Sequence, residues 1–187
     1  MKTNLKFALM IIFAIFITGC DQEDQTNEQG QNLEMDPTGD IMNNEYPQAQ
    51  AEVLETFGAI AASITAGAGH GYDGEYMDQL ISFHAYGDKF VEFNGGLSFD
   101  SAGNEHNERQ LFGEDIVVGG VTKFAPIDGT LKVAVYHGNV ANLTFISDFH
   151  LTHRDYGPII VNNLITLLFV KTKGEWKMVH EHHSPVN

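Results

Sequence analysis

Val53, Leu54, Phe57, Ile60, Ala61 and Ile64 recur at intervals of three and four, the spacing that lines one face of a helix. Gly67 stands where such a helix would end, because glycine enters the left-handed terminal conformation without a steric cost. Glycines at 67, 69, 71 and 74 make the next stretch too glycine-rich for regular structure. It reads as a flexible connector, and no Gly-Lys-Ser/Thr follows to make it a phosphate loop. A second helix is expected over 74–83, a short strand over 89–93 and a third helix over 106–112. The period then shortens. Residues 131–136, 140–153, 159–172 and 175–183 read as strands separated by His137-Gly138-Asn139, Asp155-Tyr156-Gly157 and Lys173-Gly174. Helices followed by long antiparallel strands define an α+β domain.

The first residues follow a different pattern. Lys2 and Lys6 precede an apolar run over 7–18, and these 12 residues fall short of the ~20 that span a bilayer as a helix. The run ends in Ile17-Thr18-Gly19-Cys20, which resembles the bacterial lipobox, where small residues precede a cysteine that is lipidated and becomes the mature N-terminus. Residues 1–19 are therefore expected to be a lipoprotein signal peptide. Residues 20–47, beginning with the lipidated Cys20, are expected to form a disordered acidic tether, and 48–187 a single domain. Such a tether has a typical reach of roughly 25–30 Å. The implied location is the cell envelope, with the domain outside the cytoplasm and anchored to a bacterial membrane by its lipid.

Charge sharpens this division. The chain carries 10 Lys and Arg against 25 Asp and Glu, a formal charge of −15. Eight of the acids fall within 21–45, a segment too polar to offset its own ordering entropy. From residue 46 onward, 17 acids face 8 basic residues. That balance excludes a nucleic-acid binder, which needs clustered Lys and Arg against phosphate. The single Cys excludes an intrachain disulfide.

The closing strand reads Gly174-Glu175-Trp176-Lys177-Met178-Val179-His180-Glu181-His182-His183-Ser184. With the segment from Ile81 to Phe93, and the order of two helices, a strand, a helix and then long strands, it resembles the nuclear transport factor 2-like superfamily. The likeness is to its SnoaL-like bacterial members and to the association domain of calcium/calmodulin-dependent protein kinase II. Those domains end in Trp-x-x-Val-His-x-His-x-Ser, matched by Trp176, Val179, His180, His182 and Ser184. The resemblance covers about 50–186. It implies a cone-shaped, curved antiparallel sheet packed on about three N-terminal helices, with a pocket at the open end, and a homodimer formed through the sheet. The scaffold hosts isomerases, dehydratases, binders and hub domains, so fold alone does not assign an activity.

Histidine carries the candidate chemistry, with nine in the chain. His180 and His182 share one strand face, and His183 takes the other with Glu181. Asn94, His180, His182 and His183 are the candidate ligand contacts. For catalysis the candidates are His84, Tyr86, Asp148 and His150, since a His oriented by a carboxylate can exchange protons near neutral pH. Asp148 and His150, two apart on a strand, share a face. No metal and no cofactor are expected, because the paired histidines recur in the superfamily without a shared metal. Where the kinase association domain places pocket arginines, this chain has His183 and Leu167, and beyond the signal only Arg109 and Arg154 occur. An anionic ligand is thereby disfavoured and a small, largely apolar molecule expected, with no nucleic-acid partner. The alternatives are an isomerase or dehydratase using His/Asp acid–base chemistry, or a homo-oligomeric scaffold. If Cys20 carries the anchor, Cys20→Ser moves the protein from the membrane pellet to the soluble fraction on ultracentrifugation, and retention in the pellet refutes the lipobox reading.

Overall fold

The computed structural model describes residues 45–186. The signal-like run, Cys20 and the acidic segment up to residue 44 lie outside the described residues. The order is α1 (Pro47–Gly67), α2 (Glu75–Ser82), β1 (Val91–Asn94), β2 (Leu97–Phe99) and α3 (Ser101–Glu108). A π-helical turn, Arg109–Asp115, continues α3. Then come β3 (Ile116–Pro126), β4 (Lys132–Tyr136), β5 (Val140–His153), β6 (Gly157–Val161), β7 (Asn163–Thr172) and β8 (Glu175–Pro185).

Pro47 opens α1, a position where its missing N–H costs no helical hydrogen bond. Val53, Phe57, Ile60 and Ile64 are buried along one face, as their spacing predicts. They pack on the inner face of β5, whose alternation puts Ala141, Leu143, Phe145, Phe149 and Leu151 into the core. Phe57 meets Phe145 edge to face at 5.0 Å between ring centroids. Tyr46 also packs against this core.

All strands join one sheet, ordered β2-β1-β8-β7-β5-β3, with β4 and β6 flanking β5. The sheet is mixed, not wholly antiparallel as expected, because β1 runs parallel to β8. The expected strand over 159–172 is two strands. It breaks at Asn162, whose Nδ2 donates to the Ser147 carbonyl at 2.7 Å, while Ser147 Oγ accepts from the Asn163 amide at 2.9 Å. β3 was not among the expected strands; Gly119-Gly120 forms a bulge inside it, with Gly119 at φ +65°. The third helix begins five residues earlier than expected, capped by Asp100 through the Gly103 amide at 2.9 Å.

The glycine-rich stretch is a packed seam, which corrects the expectation of a flexible connector. The Gly69 amide donates to Phe112 O at 2.8 Å, and the Gly71 amide to Gly113 O at 2.9 Å, fastening the stretch to the π-helical turn. A Cβ at Gly113 would lie 2.5 Å from Gly71 O, backbone against backbone. Gly113→Ala should therefore destabilise the domain by about 1–3 kcal/mol through overpacking. Gly58→Ala, in the exposed middle of α1 with nothing within 4 Å, should stabilise it by about 0.5–1 kcal/mol. Urea midpoints of the two variants against the parent check both signs.

Candidate functional site

Within β8, the register against β7 shifts between Phe169–Met178 and Leu168–His180, so Val179 is an extra residue. That bulge reverses which side chains face inward. Trp176 and Met178 point to the core before it, and Glu181 points there after it. Across the parallel ladder Glu92 stands opposite Glu181, and Asn94 opposite His183. The inner face of the β1–β8 pair thus carries two successive polar rungs, and the inner rung consists of two carboxylates.

Burying two facing carboxylates is costly unless donors surround them. His84, which follows α2, sends Nε2 to Glu181 Oε1 at 2.9 Å, while its Nδ1 lies 3.1 Å from the Leu80 carbonyl. Both ring nitrogens face oxygen atoms, which holds the ring between a carboxylate and a carbonyl. His183 Nε2 approaches the other oxygen of Glu181 at 3.3 Å. Glu92 accepts from Asn94 Nδ2 and from Asn104 Nδ2, both at 2.9 Å. Asn104, fully buried in α3, lies with the same amide 3.5 Å from Glu181 and accepts from the Tyr86 hydroxyl through Oδ1 at 2.5 Å. Tyr86 stacks on the His84 ring at 4.9 Å, with Phe90 edge-on to it.

These contacts split the ionisation of neighbouring groups. Burial alone would raise the Glu181 carboxyl, but hydrogen bonds from His183 and His84 and their charges outweigh it and hold it at about 2. Burial would lower His183, and its bond to Glu181, with the Glu181 and Glu92 charges, raises it instead. Glu108, the last residue of α3, goes the opposite way to Glu181. Burial, then the charges of Glu181 and Glu92, push its carboxyl well above the ordinary range. Tyr86 is raised by burial first and by Glu108 next. Glu181, Glu92, Asn104 and His84 are buried, whereas Glu108 and His183 are half-buried and Asn94 is exposed, so solvent reaches the cluster from the Asn94–His183 side.

The expected site residues divide between the two faces of the sheet. His84 and Tyr86 belong to the inner cluster, with Asn94 and His183. Asp148 and His150 do share a face and meet at 2.6 Å, but it is the outer face, where Asp148 also binds Lys123. The Lys123 hydrogen bond, then that of His150, depresses the Asp148 carboxyl. The four candidate catalytic residues therefore do not converge. His180 and His182 also lie outside, with Phe93 edge-on to both; His180 bonds the Val91 carbonyl through Nδ1, and His182 bonds Ser184. Among the described residues no group of three or more His, Cys, Asp or Glu is placed to hold a metal ion. Two surface clefts, of about 450 and 390 Å³, lie elsewhere, one beside Tyr46, Glu52 and Lys171, the other beside Gly69, Gly113 and Arg154.

Glu92, Asn104 and Glu108 were not expected at the site, and Glu181 was expected only to share a strand face with His183. A signal existed for two of them. Glu92 interrupts the apolar Val91–Phe93 pair, and Glu181 sits inside the closing histidine motif. The inner face is also more polar and more acidic than the largely apolar pocket expected.

Three helices against a curved, open, mixed sheet define the nuclear transport factor 2-like α+β cone. The SnoaL-like domain family matches residues 74–187, more than half of the chain, and the protein belongs to that family. Among solved structures, the chain is similar to a nuclear transport factor 2-like superfamily protein of Salmonella enterica serovar Typhimurium. The TM-score is 0.58 at 16% identity, covering 75% of this chain and 93% of that one. It is also similar to a candidate dehydratase of the same family from Streptomyces avermitilis, with TM-score 0.57, 15% identity, and coverage of 75% and 98%. A third likeness is to the association domain of C. elegans calcium/calmodulin-dependent kinase II, with TM-score 0.55, 11% identity, and coverage of 76% and 99%. No curated protein matches the chain by sequence.

The raised Glu108 has a thermodynamic consequence. A carboxyl raised in the folded state ionises first in the unfolded chain, so stability falls as pH rises above the ordinary carboxyl value. Glu108→Gln removes that loss. Relative to the parent, the variant should gain stability at pH 8 and gain little at pH 4. Urea unfolding at both values checks the sign, and an equal effect at both refutes it.

Proposed function

We propose that the inner-face cluster binds a small molecule and exchanges a proton with it through His183, as in an isomerase or dehydratase. The observation that carries this reading is the Glu181 carboxylate buried between two imidazoles, His84 and His183. Glu181 takes the Nε2 side of His183. Nδ1 of that ring meets no partner among the described residues and is the nitrogen available to a ligand. In the neutral ring Nε2–H donates to Glu181 and Nδ1 carries the lone pair that accepts a proton, while in the imidazolium Nδ1–H returns it. Glu181 acts as a positioning residue that fixes the ring and favours its charged form, and His84 keeps Glu181 ionised. The fold shared with the S. avermitilis candidate dehydratase agrees with this chemistry.

In this reading the domain works outside the cytoplasm, held at a membrane by lipid on Cys20, as the N-terminal pattern supports. A homo-oligomeric scaffold is the second reading. It is favoured by exposed apolar side chains on the sheet, Phe93, Ile160 and Leu164, and by the likeness to an association domain.

The histidine chemistry is directly measurable. In ¹H–¹⁵N spectra, His183 should titrate above a free imidazole and keep its proton on Nε2 when neutral. Glu181→Gln should lower that titration. Unaltered titration of His183 in Glu181→Gln refutes the proposed dyad.

A further inference from the structure

α3 buries a single one of its eight residues, and that residue is polar. Asn104 is fully enclosed, in a place where an apolar side chain would ordinarily seat a short helix on its sheet. Both ends of its amide are engaged. Nδ2 donates to Glu92 Oε2 at 2.9 Å and lies 3.5 Å from Glu181 Oε1, so one group spans the two facing carboxylates. Oδ1 accepts from the Tyr86 hydroxyl at 2.5 Å. The Tyr86 ring stacks on that of His84 at 4.9 Å and 20°, and His84 donates to the same Glu181 oxygen that Asn104 approaches. Asn104, Glu181, His84 and Tyr86 therefore close a loop of contacts. The loop occupies Oε1 of Glu181 and leaves Oε2 to His183.

The direction of the amide follows from its surroundings. An ionised carboxylate only accepts, so the NH2 end has to face Glu92 and Glu181, and a reversed amide would set Oδ1 against both acids. Burial raises the Tyr86 hydroxyl above its ordinary value, so it stays a donor to Oδ1. We infer that Asn104 is a positioning residue that acts through Glu181, fixing the rotation of that carboxylate so that Oε2 meets Nε2 of His183, with Tyr86 locking the amide from behind. This inference rests on the proposed Glu181–His183 dyad and assigns what aligns it. Neither Asn104 nor Tyr86 bonds His183 among the described residues, so their effect on it passes through the carboxylate.

The charges that reach the His183 ring are those of Glu181 on β8 and Glu92 on β1; His84 after α2 acts on Glu181, and both acids act on Glu108 of α3. Asn104→Leu, close in size but without donors, and Tyr86→Phe leave all of these groups in place. A change at His183 in either variant therefore reads alignment and not a deleted charge. The ring is followed across pH in ¹H–¹⁵N spectra of the protein. In Asn104→Leu the preference of the neutral ring for the Nε2–H form should fall by about tenfold, the size of a hydrogen bond to a charged acceptor, and its titration should move down toward that of a free imidazole. Tyr86→Phe keeps the stack on His84 and removes only the hydroxyl. It should shift both readings the same way by a smaller amount, and it serves if Asn104→Leu does not fold. Unchanged readings in the variants that fold, or a His183 that titrates higher, overturn the positioning role and leave the dyad standing. If Glu181→Gln itself leaves His183 unaltered, the dyad and this inference fall together.

Discussion

Two glutamates facing each other across neighbouring strands, below the surface, are the constraint that organises this end of the molecule. Glu92 and Glu181 stand opposite in the parallel ladder, and neither side chain is more than 5% exposed. Ionised carboxylates in such a place need donors, and the fold brings them from four separate elements. His84 follows α2, Asn104 comes from α3, Asn94 from β1 and His183 from β8. Removing one partner of such a pair is typically worth several kcal/mol, because the other charge stays buried. α2, α3, β1 and β8 are therefore tied at one point as much by proton and charge balance as by apolar packing.

The opposite shifts of Glu181 and Glu108 follow from the same arrangement. One carboxyl is bonded to two imidazoles, whereas the other is raised by burial and then by the charges of Glu181 and Glu92. Environments that drive neighbouring titratable groups apart are characteristic of sites that move protons. The outer-face set, Asp148 with Lys123 and His150, shows the contrast. There a carboxylate is neutralised by a cation at a solvated surface, an arrangement common on ordinary sheets.

Elements governed by local pattern were legible in the sequence. The 3.6-residue repeat of Val53, Phe57, Ile60 and Ile64 placed α1, and strict alternation placed β5 to its ends. Where long-range geometry decides, legibility failed. Gly119-Gly120 looks like a turn but bulges within a strand, and the glycines before α2 look loose but permit backbone contact with the π-helical turn. The same holds for the site. His84, Tyr86, Asn94 and His183 were named by residue type and family likeness. Glu92, Asn104 and Glu108 became relevant only once strand pairing and helix docking placed them near Glu181. Asp148 and His150 were correctly paired with each other, but nothing local says which side of a sheet is covered by helices.

Val179 gives the closing strand a further significance. Were the strand to run regularly through Val179, the parity set by Trp176 and Met178 would carry on, and His180 and His182 would point inward in place of Glu181 and His183. The extra residue absorbs that half-step, so an apolar Trp176–Met178 stretch and an acid–imidazole pair share one side of the same strand. Scaffolds of this kind can thus change the chemistry of their interior by gaining or smoothing out one bulge, with both sets of side chains already present in the strand.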